Sequence, residues 1–126
     1  MTTTDTATAA RAYIDTVGAG DLTPLETLFD DHLVASISDT HFNKTEWIAG
    51  VGRLLPVLVR NDIREVFVGG DRAVVVYDFV TDTPAGAVVC VELVTVRDGR
   101  ITEIELVFDR VAFAPVQAAL AERVQG

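Results

Sequence analysis

The chain has 126 residues, 49% of them hydrophobic, which is room for one domain around one sizeable core. Its 19 acidic and 10 basic residues leave a net charge of −9. No Lys/Arg cluster accompanies that balance, so nucleic acid and anionic membrane are excluded as partners, since both are recognised through grouped basic side chains.

Residues 1–6 are polar and are expected to fray. Over 7–19, Ala10, Tyr13, Ile14 and Val17 recur at helical spacing, and Gly18 and Gly20 close the helix. Thr23-Pro24-Leu25-Glu26 reads as a capping box with proline at the first helical position, opening a short helix that buries Leu25, Leu28 and Phe29. "LVASISD" (33–39) alternates as a strand does. Asn43 to Glu46 repeats the capping pattern before a third helix with Trp47, Ile48, Val51, Leu54, Leu55 and Leu58 on one stripe, which Pro56 should kink or end. The period then falls to two. Strands are predicted at "IREVFV", 73–81, 87–97 and 100–109, with turns at "GGD", "TPAG" and Asp98-Gly99, the last a strong hairpin signal. Pro115 is expected to open a terminal helix carrying Val116, Ala119 and Leu120. Helices followed by a meander of long strands predict an α+β fold, a single domain over 1–126 with helices on one face of an antiparallel sheet.

The N-terminus "MTTTDTATAA" has neither the basic nor the apolar segment of a signal peptide, and no apolar run approaches the ~20 residues of a membrane span. A soluble, cytoplasmic protein is expected. The lone Cys90 cannot form an internal disulfide and reads as a small core residue. His32 and His41 are too far from each other and from Cys90 for metal-ligand spacing, so no metal is expected. "VGAGDL" lacks the preceding strand that a dinucleotide motif needs, and no other cofactor signature is present.

"RAYIDTVGAGDLTPLETLFDDHLVASI" and "VTVRDGRITEIELVFD" resemble the opening and the last two strands of the nuclear transport factor 2-like superfamily, nearest to its SnoaL-like branch, over roughly residues 7–113. The resemblance implies a curved sheet wrapped around the N-terminal helices, a cone (cystatin-like α+β barrel) enclosing a deep apolar pocket. It also implies a dimer. The superfamily includes ketosteroid isomerases, limonene epoxide hydrolases, polyketide cyclases, dehydratases and non-catalytic modules, so the fold alone leaves function open. Position by position, Tyr13 matches the isomerase's oxyanion tyrosine and Glu92 falls at or near its oxyanion carboxylic acid. Ile37 stands where the isomerase keeps its base, with Asp39 two residues on. Asp78 matches the first aspartate of the epoxide hydrolase, whereas Val76 replaces its arginine and Leu106 the last-strand aspartate shared with the cyclases.

Asp78 and Glu92 are carboxylates inside apolar strands. The parity of the loop between them decides whether they share a sheet face, and "DTPAG" permits either. The family comparison places both in the pocket beside Val76, Val80, Cys90 and Val94. Thr102, Ile104, Leu106 and Phe108 share the pocket-lining face of the last strand, and Trp47, Val51 and Leu55 of the third helix supply a wall. His41 stands near the expected mouth. Two carboxylates in one apolar cavity would drive at least one pKa upward, giving a neutral acid and an ionised base, with Tyr13 as oxyanion donor. The expected activity is cofactor-free acid–base catalysis on an apolar, oxygenated small molecule, of isomerase, cyclase, dehydratase or hydrolase type. The alternative is a hydrophobic-ligand-binding or dimeric assembly module. On the residues alone, Asp78 pairing with Arg11 or Arg53 and Glu92 facing solvent are equally open. Val75, Tyr77, Phe79, Val89, Val91 and Leu93 would form an apolar outer face for a homodimer.

Overall fold

The computed structural model describes residues 3–125, with side chains from 5 to 123. In chain order the elements are α1 (Thr3–Gly18), α2 (Leu25–Leu28), β1 (Phe29–Ile37), β2 (Thr40–Phe42) and α3 (Lys44–Gly52). The long strands follow, β3 (Leu58–Gly69), β4 (Arg72–Thr81), β5 (Ala87–Arg97) and β6 (Arg100–Phe108), then α4 (Arg110–Gln125). The fold is α+β. Its six strands lie in the order β2-β1-β6-β5-β4-β3 in one curved sheet that does not close.

All neighbours pair antiparallel except β1 and β6, which run parallel. The wholly antiparallel expectation is corrected there. The first strand returns to the sheet beside the last one, and a connection that passes through α3 and four other strands allows the parallel sense. Register shifts at Leu58/Arg60 and Ile63/Glu65 in β3, and at Thr95/Val96 in β5, each add local bend and twist. The β5–β6 turn has Asp98 at φ 52° and Gly99 at φ 77°, the left-handed pair that a two-residue hairpin requires.

α1 lies in the concavity and buries Ala9, Ala10, Tyr13, Ile14 and Val17 against the sheet. Its end needs glycine, because a Cβ on Gly18 would lie 2.8 Å from the backbone nitrogen of Asn61. The Asn61 Nδ2 also donates to the Ile14 carbonyl at 3.0 Å, fastening α1 to β3. The helix begins at Thr3, and Thr6 is fully buried with its Oγ1 donating to the Gly70 carbonyl at 2.9 Å. Residues 3–6 are therefore helical rather than frayed, while the same expectation for residues 1 and 2 lies outside the described residues.

Local signals held unevenly. The capping box at α3 forms in full, with Asn43 Oδ1 accepting from the Glu46 N–H and Glu46 Oε1 from the Asn43 N–H, both at 2.9 Å. At α2 it does not form. Pro24 takes the cap position with no side-chain bond, and the Thr23 N–H turns to Asp21 Oδ1 instead. Phe29 opens β1 rather than closing that helix. α3 ends at Gly52, ahead of Pro56. α4 starts before Pro115, because Asp109 Oδ1 accepts from the N–H groups of Val111 and Ala112 and opens the helix there. Among the described residues, no helix is long and apolar enough to cross a membrane.

Candidate functional site: a buried carboxyl in an apolar cavity

Between the concave sheet face, α1, α3 and α4 lies a cavity of about 950 Å³. Its wall is mostly apolar, and Ile14, Ile37, Val51, Leu54, Leu106 and Phe108 contribute to it. Phe113 of α4 closes one side, packing its ring against those of Phe108 and Phe79 at centroid distances of 5.0 and 6.0 Å. Arg53 and Arg123, both exposed, line the same cavity.

One carboxyl enters this apolar wall. Glu92 is 2% exposed and sits on the inner face of β5. Tyr13 of α1 donates to its Oε1 at 2.6 Å, and Tyr77 of β4 donates to its Oε2 at 2.5 Å. Trp47 of α3 donates its indole N–H to the Tyr13 hydroxyl at 3.1 Å. Side chains from four elements thus form one hydrogen-bonded network, in which Tyr13 and Tyr77 touch Glu92 directly and Trp47 acts on Tyr13. Tyr77 lies directly across from Cys90, so it is the diagonal neighbour of Glu92 on the same sheet face.

Burial pushes the Glu92 carboxyl up to about 7, against the two tyrosine hydrogen bonds, which favour the ionised form. Burial, reinforced by the Glu92 charge, raises Tyr13 and Tyr77 well above the usual phenol range. The Cys90 thiol is pushed up to about 12 by burial and by Glu92, so it is no nucleophile near neutral pH. A proton count defines what the cluster can do. The ionised network has three hydrogen bonds and three protons to fill them, from Trp47, Tyr13 and Tyr77. Protonating Glu92 adds a fourth proton with no acceptor in that set. The neutral cluster can therefore offer one donor to an oxygen in the cavity, and the ionised cluster offers none.

Asp78 is elsewhere. Val80 pairs with Ala87, so residues 81–86 form an even connection and Asp78 falls on the face opposite Glu92. Arg64 clamps it there, Nε to Oδ2 at 3.0 Å and Nη2 to Oδ1 at 2.8 Å. The partner is neither Arg11 nor Arg53. Val76 and Val80 go outward with it, whereas Val75, Tyr77 and Phe79, expected on the outer face, turn inward. The paired-carboxylate arrangement is corrected to a single buried carboxyl.

Of the other expected site residues, Tyr13, Ile37, Trp47, Val51, Cys90, Leu106 and Phe108 line the cavity. Asp39 does not. It is exposed in the two-residue turn between β1 and β2, where Ser38 takes φ 53°. His41 is exposed on β2, a strand too short to show in the sequence period. Leu55 lies in the turn after α3 and off the wall, and Val94 and Ile104 pair with each other in the closed core. Thr102 bonds the Thr95 carbonyl beside the β5 irregularity, away from the cavity. Sequence reasoning missed Tyr77, Asn61, Gln117 and Arg123 as wall residues. A signal for Tyr77 was present, since the aromatic positions of β4 alternate with Asp78 and a charge belongs to the wetter face. Among the described residues, no three His, Cys, Asp or Glu side chains gather as a metal site would require.

An open curved sheet cupping a helix over an apolar cavity with a hydrogen-bonded carboxyl defines the class of small α+β pocket proteins built like nuclear transport factor 2. Within that class, the family profile of the SnoaL-like domain matches residues 10–104, and the chain belongs to that family. Solved structures agree on the fold. A protein from Kribbella flavida is 24% identical at a TM-score of 0.78, covering 94% of this chain and 95% of that one. A nuclear transport factor 2-like protein of unknown function from Mesorhizobium loti is 24% identical at a TM-score of 0.73, covering 85% and 93%. A candidate SnoaL-like polyketide cyclase from Jannaschia sp. CCS1 is 19% identical at a TM-score of 0.74, covering 91% and 93%. No curated protein matches the chain.

Proposed function

We propose that the cavity binds an apolar, oxygenated small molecule and polarises its oxygen with the proton of neutral Glu92, held in place by Tyr13 and Tyr77. The observation that carries this is a single hydrogen-bonded carboxyl, raised to about 7, in an otherwise apolar wall. A donor in such a site costs no reorganisation and is stronger than in water. The same group supports a second reading as an acid–base catalyst of enolisation, because a carboxyl near 7 exchanges its proton readily at neutral pH. Two features weigh toward binding. Asp78 is locked outside the cavity, and the other carboxylate on the cavity wall, Glu46, is engaged in capping α3.

β-Tetralone, an enolisable apolar ketone, separates the readings. Quenching of Trp47, the sole tryptophan, reports binding, and loss of α-proton signals in D2O by NMR reports catalysis. Binding that weakens in Glu92→Gln and as pH rises past neutrality supports the pocket reading, and exchange above the buffer rate adds the catalytic one. No binding of this ketone or of related enones and cyclic ethers would sink both.

We also propose that a second copy of the chain covers the outer sheet face. Phe67, Val89 and Val107 there are 57%, 44% and 50% exposed, beside half-buried Val74, Val76, Val80, Val91 and Leu93. An apolar surface of that extent on a sheet face is ordinarily covered.

A further inference from the structure

The charged groups of the cavity differ in depth. Glu92 is buried, while Glu46, Arg53 and Arg123 are exposed, in a chain of net charge −9. Among the described residues, five of the ten basic side chains are paired with acids, four of them away from the cavity: Lys44 with Glu26 and Asp31, Arg60 with Asp62, Arg64 with Asp78 and Arg97 with Asp71. Arg123 is engaged as well, donating to Asp82 Oδ1 and to the Pro56 carbonyl, each at 2.7 Å. Arg53 is the exception on the cavity wall. Among the described residues its guanidinium has no carboxylate and no hydrogen-bond acceptor. It lies back over Gly50, where a Cβ would come within 3.7 Å of its Nη2, and both residues line the cavity. The other acid on the cavity wall apart from Glu92, Glu46, is occupied by the α3 cap, and Asp82 is occupied by Arg123.

We infer that Arg53 is a specificity-determining residue that receives a carboxylate on the ligand, so that the cavity takes amphipathic acids: an apolar body, an oxygen at one end for Glu92, and an anionic group at the other for Arg53. A planar guanidinium pairs two-pronged with a carboxylate, which a lysine in its place would not do. Arg123 adds positive potential at the same edge without competing for the pair. This inference rests on the cavity being a ligand site.

The test compares ω-hydroxydodecanoate with its methyl ester, which share body and hydroxyl and differ only in charge, by quenching of Trp47 at neutral pH. The acid is expected to bind about tenfold tighter than the ester, the worth of one partly exposed charge-assisted contact. Arg53→Gln should bring the acid down to the ester's level, and raised salt should narrow the gap in the parent protein. Arg53→Lys keeps the charge and should retain part of the preference, which separates charge recognition from loss of fold. Ester and acid binding equally in the parent, or a preference that survives Arg53→Gln, overturns the inference and leaves the pocket reading standing. Failure of both compounds to bind overturns the inference together with that reading.

Discussion

A carboxyl whose folded pKa lies above its ordinary value makes stability fall with pH, and Glu92 is that case. Between about 4.5 and about 7 the folded protein holds a proton that the unfolded chain has lost, so stability declines across that window and levels off above it. The full effect is about 3 kcal/mol, from 1.36 kcal/mol per pKa unit. Glu92→Gln has no such proton. The stability difference between the parent and this variant, from urea melts at several pH values, should shift toward the variant by up to that amount as pH rises from about 4 to about 8. A constant difference would mean that Glu92 titrates normally. The two tyrosines are distinguishable in the same way. Tyr77→Phe removes one donor from the ionised carboxylate, so carboxyl carbon NMR should show Glu92 titrating higher by about one unit, the scale of one hydrogen bond to a charge. Tyr13→Phe does this too, but it also strands the buried Trp47 indole N–H. It should cost about 1–3 kcal/mol more than Tyr77→Phe.

Elements decide which side chains reach the site. On β4 one residue of register separates Tyr77, in the network, from Asp78, on the outer face. Asp78→Asn breaks a part-exposed pair with Arg64 and should cost under about 1 kcal/mol while leaving ligand affinity and the Glu92 titration unchanged. A change in either would place Asp78 back in the site. α4 lays Phe113, Gln117, Leu120 and Arg123 along the cavity, and Arg123 ties its far end to Asp82 and to the Pro56 carbonyl. Arg123→Ala should raise amide exchange over the last turns of α4 and speed ligand release, with little change in global stability, because the helix keeps its Phe113 and Val116 contacts near the start. Exchange confined to its parent level would show that apolar packing alone seats the helix.

At the scale of the whole molecule, the two sheet faces have different tasks. The concave face carries the core and the cavity, and the convex face carries an exposed valine-rich surface crossed by the Arg64–Asp78 pair. Val89→Lys places a charge within that surface and should turn a dimer into a monomer in sedimentation equilibrium, leaving the Glu92 titration as it was. A parent protein that sediments as a monomer at all concentrations would remove the dimer proposal.

The α+β class, the strand meander and its hairpin turns were legible in the sequence, because periodicity, the Asn43–Glu46 cap and Asp98-Gly99 are local signals whose physics acts within a few residues. The resemblance to the SnoaL-like branch, and with it Tyr13 and Glu92 as residues of interest, was legible for the same reason: short stretches of sequence carried it. What the chain could not declare was the parity of the β4–β5 connection, since "DTPAG" suits odd and even loops alike, and a single residue of slip exchanges Tyr77 for Asp78 in the cavity. That choice belongs to the tertiary structure. Burying Tyr77 and Phe79 against the core is favourable, while burying Asp78 beside Glu92 would place two carboxyls out of water with no cation between them. The same holds for Arg53, because which guanidinium on the cavity wall goes without a carboxylate, Arg53 rather than Arg123, is visible only once the side chains are placed.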